Sequence, residues 1–469
     1  MNRSLLKFCA IIAYSAAIVI AMTNPGIATE TDGAIRPWSE QPAYWQFKGN
    51  PLLLLGGSKD DNLFQIPDLN EHLKEMAHVG ANYIRNTMSD RKDKGFEIYP
   101  FAQLPNGKFD LDHWNETYWR RFEKLLNLTR KYGIIVQIEI WDRFDYSRKN
   151  WEPNPYNPKN NTNYDYRESG FSKHYPEHAG TNRQPFFFTT PLQRNNSVIL
   201  HYQQRFVDKI LSYSLRYDHV LYCIDNETSA QELWGAYWAR WIIDRAADRK
   251  KKVFVTEMWD AWDIKSKPHR RSFDHPEIYG FIDVSQNNQK KGQVHWDNLQ
   301  WVRRYIAKSP RPMNMVKTYG VDGGRFGNTR EGIDRWWRNI IGGAAAVRFQ
   351  RPGNGLGLST PAANAIRSAR MLESLVKLWD VAPANQLLGE RAKNEAYLAA
   401  APSQDYVLYF TDGGSVTLDL EQVDETFDAK WIDINNARWG RHEIIHGGKK
   451  AVITAPGKGH WVVALVKSG

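Results

Sequence analysis

The sequence predicts an α/β protein in which a (β/α)₈ barrel is followed by a small antiparallel β-sandwich. Eight short apolar runs alternate with segments of helical periodicity through most of the chain. One run, residues 219–227 (HVLYCIDNE), ends in a carboxylate and is followed at once by a helical segment. A barrel presents catalytic groups in this way, at the carboxyl ends of its strands.

The N-terminal residues are typical of a secretory signal peptide. Arg3 and Lys7 precede an apolar run at residues 8–22, and small residues follow it at 26–28. We expect cleavage after about Ala28. The sequence thus predicts three regions: a signal peptide at 1–28, a barrel domain at 29–382 and a sandwich domain at 383–469.

The barrel strands are predicted from apolar runs that end in polar residues. The eight predicted strands span residues 51–57, 81–88, 134–141, 220–224, 252–259, 280–287, 312–319 and 344–351. The predicted helices span residues 68–79, 114–132, 192–217, 230–247, 296–307, 330–341 and 361–379. This alternation is that of a TIM barrel.

Two further segments complete the predicted architecture. Residues 144–190 are rich in Asn, Pro and aromatic side chains, which favours an ordered lid over the strand ends. After residue 383, short alternating runs are separated by Gly and Asp turns, as expected for an antiparallel sandwich. These runs span residues 397–401, 406–410, 416–420, 429–434, 443–445, 451–454 and 461–466.

The net charge and the cysteine count limit the partners and the disulfides that the mature protein can have. Loss of Arg3 and Lys7 with the signal peptide lowers the formal charge from +10 by two, to +8. A basic exported protein can meet an acidic glycan, a membrane surface or nucleic acid. Cys223 is then the one remaining cysteine, so an intramolecular disulfide is excluded. We expect a carbohydrate partner, no nucleic acid, no membrane after signal cleavage, and no cofactor or metal; the oligomeric state is left open.

Asn226 and Glu227, at the end of the fourth predicted strand, form the strongest candidate site. A buried carboxyl group with a raised pKa can protonate a glycosidic oxygen, and the neighbouring amide can bind a sugar hydroxyl. Glu227 is therefore the predicted general acid/base.

These residues resemble the clan-A glycoside hydrolases, which carry an Asn–Glu pair at the end of strand four with the Glu as acid/base. More narrowly, the chain resembles the apiosidase-like bacterial family, whose barrel is followed by a β-sandwich labelled as collagen-binding. The matching positions are Arg85–Asn86, residues 110–111, 118–121 and 133–134, Asn226–Glu227, and residues 405–412, 431–433, 454–457 and 461. The resemblance implies an exported glycoside hydrolase that acts on a plant or algal polysaccharide or oligosaccharide.

The chain departs from that family at strand seven, where the clan places a nucleophilic carboxylate. The seventh predicted strand ends in Lys317, Thr318 and Tyr319. Glu257, at the end of strand five, could serve as a base for water and give inversion. Asp322, in the loop after strand seven, could instead preserve retention, and Asp142 is a third alternative.

The remaining candidates would bind substrate. Trp141, Trp259 and Tyr319 are predicted to stack on sugars, while Arg85, Asn86, Asp142, Asn226, Lys317 and Arg348 would hold hydroxyl or anionic groups. Two other functions stay open: a carbohydrate-binding barrel that has lost hydrolysis, and a zinc peptidase built on the HEIIH motif at 442–446. Strand-rich surroundings argue against the peptidase, because its motif requires a helix.

Overall fold

The computed structural model describes residues 33–89, 91, 94–321 and 326–469. The predicted signal peptide and the candidate Asp322 lie outside these residues. None of the described helices is both long and apolar enough to cross a lipid bilayer.

Eight parallel strands follow one another through the first three quarters of the chain. All eight are buried along their whole length, which explains their nearly continuous apolar runs. They are β1 (Leu54–Gly57), β2 (Tyr83–Thr87), β3 (Ile135–Asp142), β4 (Val220–Asn226), β5 (Val255–Thr256), β6 (Ile282–Asp283), β7 (Met313–Thr318) and β8 (Ala346–Phe349).

The strands pair in the order of a barrel, in two four-stranded sheets. One sheet has the order β5-β4-β3-β2 and the other β6-β7-β8-β1. The Asn82 N–H donates to the Leu55 carbonyl oxygen (2.9 Å) at one seam, and the Asp283 N–H donates to Thr256 Oγ1 (3.2 Å) at the other. The ladders of the described strands stop at these two seams, so full closure of the barrel stays a prediction.

A helix follows each strand. The helices are α1 (Leu69–His78), α2 (Glu116–Tyr132), α3 (Ser197–Ser214), α4 (Glu232–Ala247), α5 (Lys267–Phe273), α6 (Gly292–Tyr305), α7 (Thr329–Ile341) and α8 (Thr360–Glu373). Seven correspond to predicted helices. The eighth, α5, was not predicted because its sequence, KPHRRSF, is short and carries little apolar periodicity.

Local side-chain bonds define several of the helix ends. At α2, the Asn115 side chain accepts from the Thr117 N–H, and Gly133 ends the helix with φ +69°. At α7, Asn328 and Glu331 form a capping box. These caps fix where the chain enters the helices next to the strand ends.

Three predicted strand boundaries need correction. The predicted strand at 280–287 is reduced to the two residues of β6, and its last three residues begin a 3₁₀ helix. The run at 51–57 divides into Asn50–Leu52, which pairs antiparallel with Trp45–Phe47, and β1. The predicted strand at 252–259 is reduced to two residues in β5, with an isolated bridge at Trp259. A hairpin of Phe101–Gln103 and Phe109–Trp114 was not predicted. Polar and proline residues interrupt these segments, so periodicity alone placed their ends poorly.

The segment between β3 and α3 folds back on itself through a cluster of aromatic side chains. Trp151, Tyr156, Phe171 and Phe186 in this segment are each less than 10% exposed. Tyr146 stacks on Phe186 with ring centroids 3.9 Å apart. These contacts make the segment an ordered wall.

The chain ends in two antiparallel sheets. Their strands are β9 (Ala382–Pro383), β10 (Leu388–Gly389), β11 (Ala396–Ala401), β12 (Asp405–Phe410), β13 (Ser415–Asp419), β14 (Thr426–Asp433), β15 (Arg438–His446), β16 (Lys450–Thr454) and β17 (Trp461–Lys467). The six-stranded sheet has the order β9-β11-β12-β17-β14-β15, and the three-stranded sheet β10-β13-β16. A shared apolar cluster fills the space between them, as in a β-sandwich.

The six-stranded sheet also contacts the barrel with its outer face. Along β11 and β12, Leu398 and Leu408 belong to the sandwich cluster, whereas Tyr397 and Tyr409 belong to the large barrel cluster. Tyr409 stacks on Trp337 of α7 and donates a 2.7 Å hydrogen bond to Asp334. The sheet therefore takes part in two cores at once. The predicted domain boundary at 382/383 stays a prediction.

Close packing of β1 against β2 yields a stability prediction. A Cβ atom on Gly56 would overlap the backbone oxygen of Tyr83. We expect Gly56→Ala to lower the free energy of unfolding by about 1–3 kcal/mol, because the two strands must separate. Gly457→Ala is the control, since a Cβ there meets nothing within 4 Å. Equal denaturation curves for the two variants would contradict this packing.

Candidate active site

A cavity of about 690 Å³ opens at the carboxyl ends of the strands. Residues at or after the end of each of the eight strands line it, as is usual for the functional face of this architecture. They include Asp60 and Asp61 after β1, Arg85 and Thr87 on β2, Asp142 on β3, Asn226 and Glu227 at β4, Asp260 and Trp262 after β5, Gln289 after β6, Lys317 and Tyr319 at β7, and Gln350 and Arg351 after β8. Phe144 and His178 of the wall also line it.

Glu227 lies directly after β4 and is held by two residues at the end of β7. Its backbone has φ +56°, a left-handed conformation that is uncommon for glutamate. Lys317 Nζ lies 2.7 Å from Glu227 Oε1, and the Tyr319 hydroxyl donates to the same oxygen at 3.3 Å. The Glu227 side chain is 20% exposed and that of Lys317 is 3% exposed. The candidate acid/base is therefore part of a largely buried ion pair.

This pair determines the charge of Glu227. Burial acts to raise the pKa of the carboxyl group, but Lys317, Arg85 and Tyr319 together outweigh burial and lower its pKa below the usual value. The carboxylate is thus ionised at neutral pH. The role of general acid requires a raised pKa; the direction here is the opposite because Lys317 lies beside the carboxyl group.

Arg85 connects the strand ends around Glu227. Its guanidinium group lies 2.8 Å from Glu139 of β3 and 3.8 Å from Asp61. It also donates to Asn226 Oδ1 at 3.1 Å, and Asn226 in turn donates to Asp142 Oδ2 at 3.0 Å. Burial raises the pKa of Glu139 to about 7 despite the opposing charge of Arg85.

The other cations of the pocket are also paired with carboxylates. Asp61 receives Arg348 at 2.8 Å and Arg351 at 3.0 Å. Although burial acts to raise the pKa of Asp61, the surrounding guanidinium groups hold it well below the usual value. Arg91 pairs with Asp142, and Lys94 pairs with Asp60. These pairs build a polar cavity in which positive and negative groups alternate.

Six of the predicted site residues meet in this cavity: Arg85, Asp142, Asn226, Glu227, Lys317 and Tyr319. Arg348 lies beneath it, fully buried against Asp61 and Ser58. Asn86 is also buried, and its side chain accepts from the Phe64 N–H at 3.0 Å.

Glu257 and the two predicted tryptophan platforms lie behind the strands, facing the helices. Glu257 is fully buried beside Gly235 of α4, and a Cβ on Gly235 would lie 2.5 Å from its Oε2. Trp141 packs against Trp238 of α4, and Trp259 donates to Ser272 Oγ of α5 at 3.1 Å. The structure therefore does not bring these three residues to the cavity, although the next residue after two of them, Asp142 and Asp260, lines it.

Several cavity residues were not selected from the sequence. Gln350 directly follows β8, so the rule that identified Glu227 could have found it. Asp61 lies four residues beyond the end of β1. Asp260 follows β5, and its N–H donates to the Thr228 carbonyl oxygen at 2.9 Å, next to Glu227. Trp262 is 54% exposed at the cavity. It lies beyond the strand end, where a search limited to strand tips does not reach.

The HEIIH motif lies on strand β15, as predicted, and not on a helix. His442 contacts Asp428 at 3.0 Å, and His446 contacts the Thr426 hydroxyl at 3.2 Å. Within the described part of the chain, His, Cys, Asp and Glu form no group of three that could hold a metal ion.

The buried pair predicts a stability difference that depends on pH. A lowered folded-state pKa means that Glu227 stabilises the fold above its unfolded pKa, and this contribution is lost as the pH falls through the folded pKa. We expect Lys317→Met to lower the free energy of unfolding by about 3–5 kcal/mol near pH 7. The loss should be smaller at about pH 4, where the unpaired Glu227 of the variant takes up a proton.

Thermal and denaturant unfolding of both proteins at the two pH values measures this difference. Lys251→Met is the matched control, because Lys251 forms a 3.0 Å pair with Asp218 near the opposite ends of the strands and both side chains are partly exposed. A pH-independent difference for Lys317→Met would show that Glu227 is not the group responsible.

Comparison with known proteins relates this geometry to one class of fold. No protein-family model and no curated sequence matches the chain. A solved glycoside hydrolase family 5 protein from Bacteroides vulgatus is similar over 93% of each chain, with a TM-score of 0.61 and 12% identity. A second solved structure, described as a glycoside hydrolase, covers 93% of this chain and 97% of its own, with a TM-score of 0.61 and 11% identity. The chain therefore has a mixed α/β fold of the glycoside hydrolase type, with additional antiparallel sheets at its C-terminus.

Proposed function

We propose that this protein is a glycoside hydrolase that cleaves O-glycosidic bonds of a plant or algal polysaccharide or oligosaccharide, with Glu227 as general acid/base. The observation that carries the proposal is the position of Glu227: it follows β4 and lines the cavity to which residues at or after the ends of all eight strands contribute. The similarity of fold to glycoside hydrolases supports it. The resemblance to the apiosidase-like group remains part of the proposal.

The second carboxylate is proposed from the cavity. Glu257 faces α4, so it cannot reach a sugar bound beside Glu227. Asp260 lines the cavity in the segment after β5, the strand next to β4, and takes the place of Glu257 in the proposal. If Asp260 activates water, the reaction inverts the anomeric centre; a nucleophile in the loop after β7, where Asp322 lies, would instead give retention.

Substrate binding is proposed to use the paired polar groups and the exposed aromatic rings. Arg85, Asn226 and Asp142 present donors and acceptors to sugar hydroxyl groups. Tyr319 stacks on Phe326 with ring centroids 4.3 Å apart, which leaves an aromatic surface at one side of the cavity. Trp262 provides a second one, in place of the buried Trp141 and Trp259.

A non-hydrolytic carbohydrate-binding barrel is the second candidate function. The observation that favours it is Lys317, which occupies the strand-seven end and neutralises Glu227 at 2.7 Å. A barrel with this pair could retain its hydrogen-bonding cavity while lacking the two available carboxyl groups that hydrolysis requires.

We expect Glu227→Gln to reduce kcat by about a hundredfold to ten-thousandfold, because an amide cannot transfer the proton. Reducing-sugar release from neutral, uronate-containing and sulfated glycans measures this. Asp260→Asn should cause a comparable loss, whereas the matched control Glu257→Gln should stay within about fivefold of the wild type.

The outcomes separate the candidates. Full activity in Glu227→Gln would identify another residue as the acid. Binding of glycans by the wild type without release of any product would favour the non-hydrolytic barrel. If Glu257→Gln lowered kcat as much as Glu227→Gln, with an unchanged unfolding curve, Glu257 would have to take part in the reaction.

Export through the signal peptide is also part of the proposal, with the mature protein in the periplasm or outside the cell. We expect N-terminal sequencing of protein recovered from the periplasm or medium of an expressing bacterium to begin at about Thr29. Replacement of Arg3 and Lys7 by glutamate should retain the full-length chain in the cell. A chain that starts at Met1 in the exported fraction would contradict cleavage.

A further inference from the structure

Lys317 is paired with a carboxylate that must change its protonation state in the proposed reaction. Its Nζ lies 2.7 Å from Glu227 Oε1 and 2.6 Å from Asn226 Oδ1. The Lys317 side chain is 3% exposed and lines the cavity. Its carboxylate partner is the residue that the proposed reaction requires in protonated form.

The cations held by Asp61 and Asp142 have partners that can keep their charge throughout. Asp61 holds Arg85, Arg348 and Arg351, and nothing in the proposed reaction requires it to be neutral. Arg91 is held by Asp142 in the same way. An incoming anion would have to compete with permanent carboxylates for these groups, which is costly in a buried site. Lys317 differs from the cations held by Asp61 and Asp142, because its partner Glu227 must become neutral in the proposed reaction and can then release it.

We infer that the cavity selects a sugar bearing an acidic group, a carboxylate or a sulfate ester, which takes Lys317 away from Glu227 while Glu227 takes up a proton from solvent. The inference deepens the proposed glycosidase function and rests on it. Charge balances in this exchange: one negative group enters with the ligand, and one is neutralised on Glu227.

The surroundings of Glu227 support the exchange. Burial is the largest influence on the pKa of Glu227 and raises it, while Lys317 is the largest opposing one. Arg85 of β2 and Tyr319 also face the carboxyl group, and Asp260 lies on the adjacent loop. Arg85 stays bound to Glu139 and Asp61. Once Lys317 binds the ligand, burial therefore favours the protonated carboxyl group, which can then donate to the glycosidic oxygen.

Proton uptake on binding tests this directly. The probes are methyl glucuronoside, methyl galacturonoside and a sulfated methyl glucoside, with neutral methyl glucoside and methyl galactoside for comparison. Isothermal titration calorimetry at about pH 6, in two buffers of different ionisation enthalpy, should show up to about one proton taken up per acidic ligand bound. Acidic probes should bind about tenfold or more tighter than their neutral counterparts. The acidic probe that binds identifies the carboxylate or the sulfate as the group recognised.

Three variants test which residue takes up the proton and which one binds the acidic group. Glu227→Gln should still bind acidic probes but without proton uptake, because an amide does not titrate. Lys317→Met should lose the preference for acidic over neutral probes. Lys251→Met, which removes a paired lysine near the opposite strand ends, should keep both the preference and the uptake.

Equal binding of neutral and acidic probes, no binding of any acidic probe, or binding of acidic probes without proton exchange would each overturn the inference. The proposed function fails separately. If the wild type hydrolyses neutral glycans through Glu227, the hydrolase stands without the acidic substrate. If acidic probes bind with proton uptake but no glycan is hydrolysed, the exchange stands and the hydrolase does not.

Discussion

The guanidinium group of Arg85 links residues at the ends of several strands, and the arrangement of charges in the cavity depends on it. It is buried to 99% and bonds to Glu139 of β3, Asp61 after β1 and Asn226 of β4. A buried guanidinium group is tolerated only where carboxylates and hydrogen bonds replace its water. The partners of Arg85 are in turn bound by other residues of the cavity. Asp61 pairs with Arg348 and Arg351. Asn226 donates to Asp142 and accepts from Lys317, which also pairs with Glu227. Cations and carboxylates at the strand ends are thus paired with one another, and any ligand that enters the cavity must bind among these pairs.

The sequence was sufficient for the order of the eight parallel strands, because buried parallel strands are continuous apolar runs that end in polar residues; of the helices that follow them, it missed the short α5. It also placed Glu227, Asn226 and Lys317 at strand ends. It could not decide which of two adjacent residues faces the cavity. Trp141 and Asp142, or Trp259 and Asp260, differ by one position, and the local course of the backbone turns one to the helices and the other to the cavity.

The ionisation of Glu227 was beyond sequence reasoning for a related reason. Its partner Lys317 is 90 residues away in the chain, and whether the two charges touch depends on the tilt of two strands and on side-chain packing. The same holds for Asp61 and Arg348, which are 287 residues apart. Residue types at strand ends indicate which groups are available, whereas the pairings that set their protonation appear only in three dimensions.

The six-stranded sheet has a consequence for how this architecture can change. Because Tyr397 and Tyr409 complete the barrel core while Leu398 and Leu408 complete the sandwich core, the sheet serves as a wall common to both. A change on the outer face of the sheet must therefore fit the barrel helices, and a change on its inner face must fit the sandwich core. Separated from the barrel, the sheet would expose Tyr397 and Tyr409 to water.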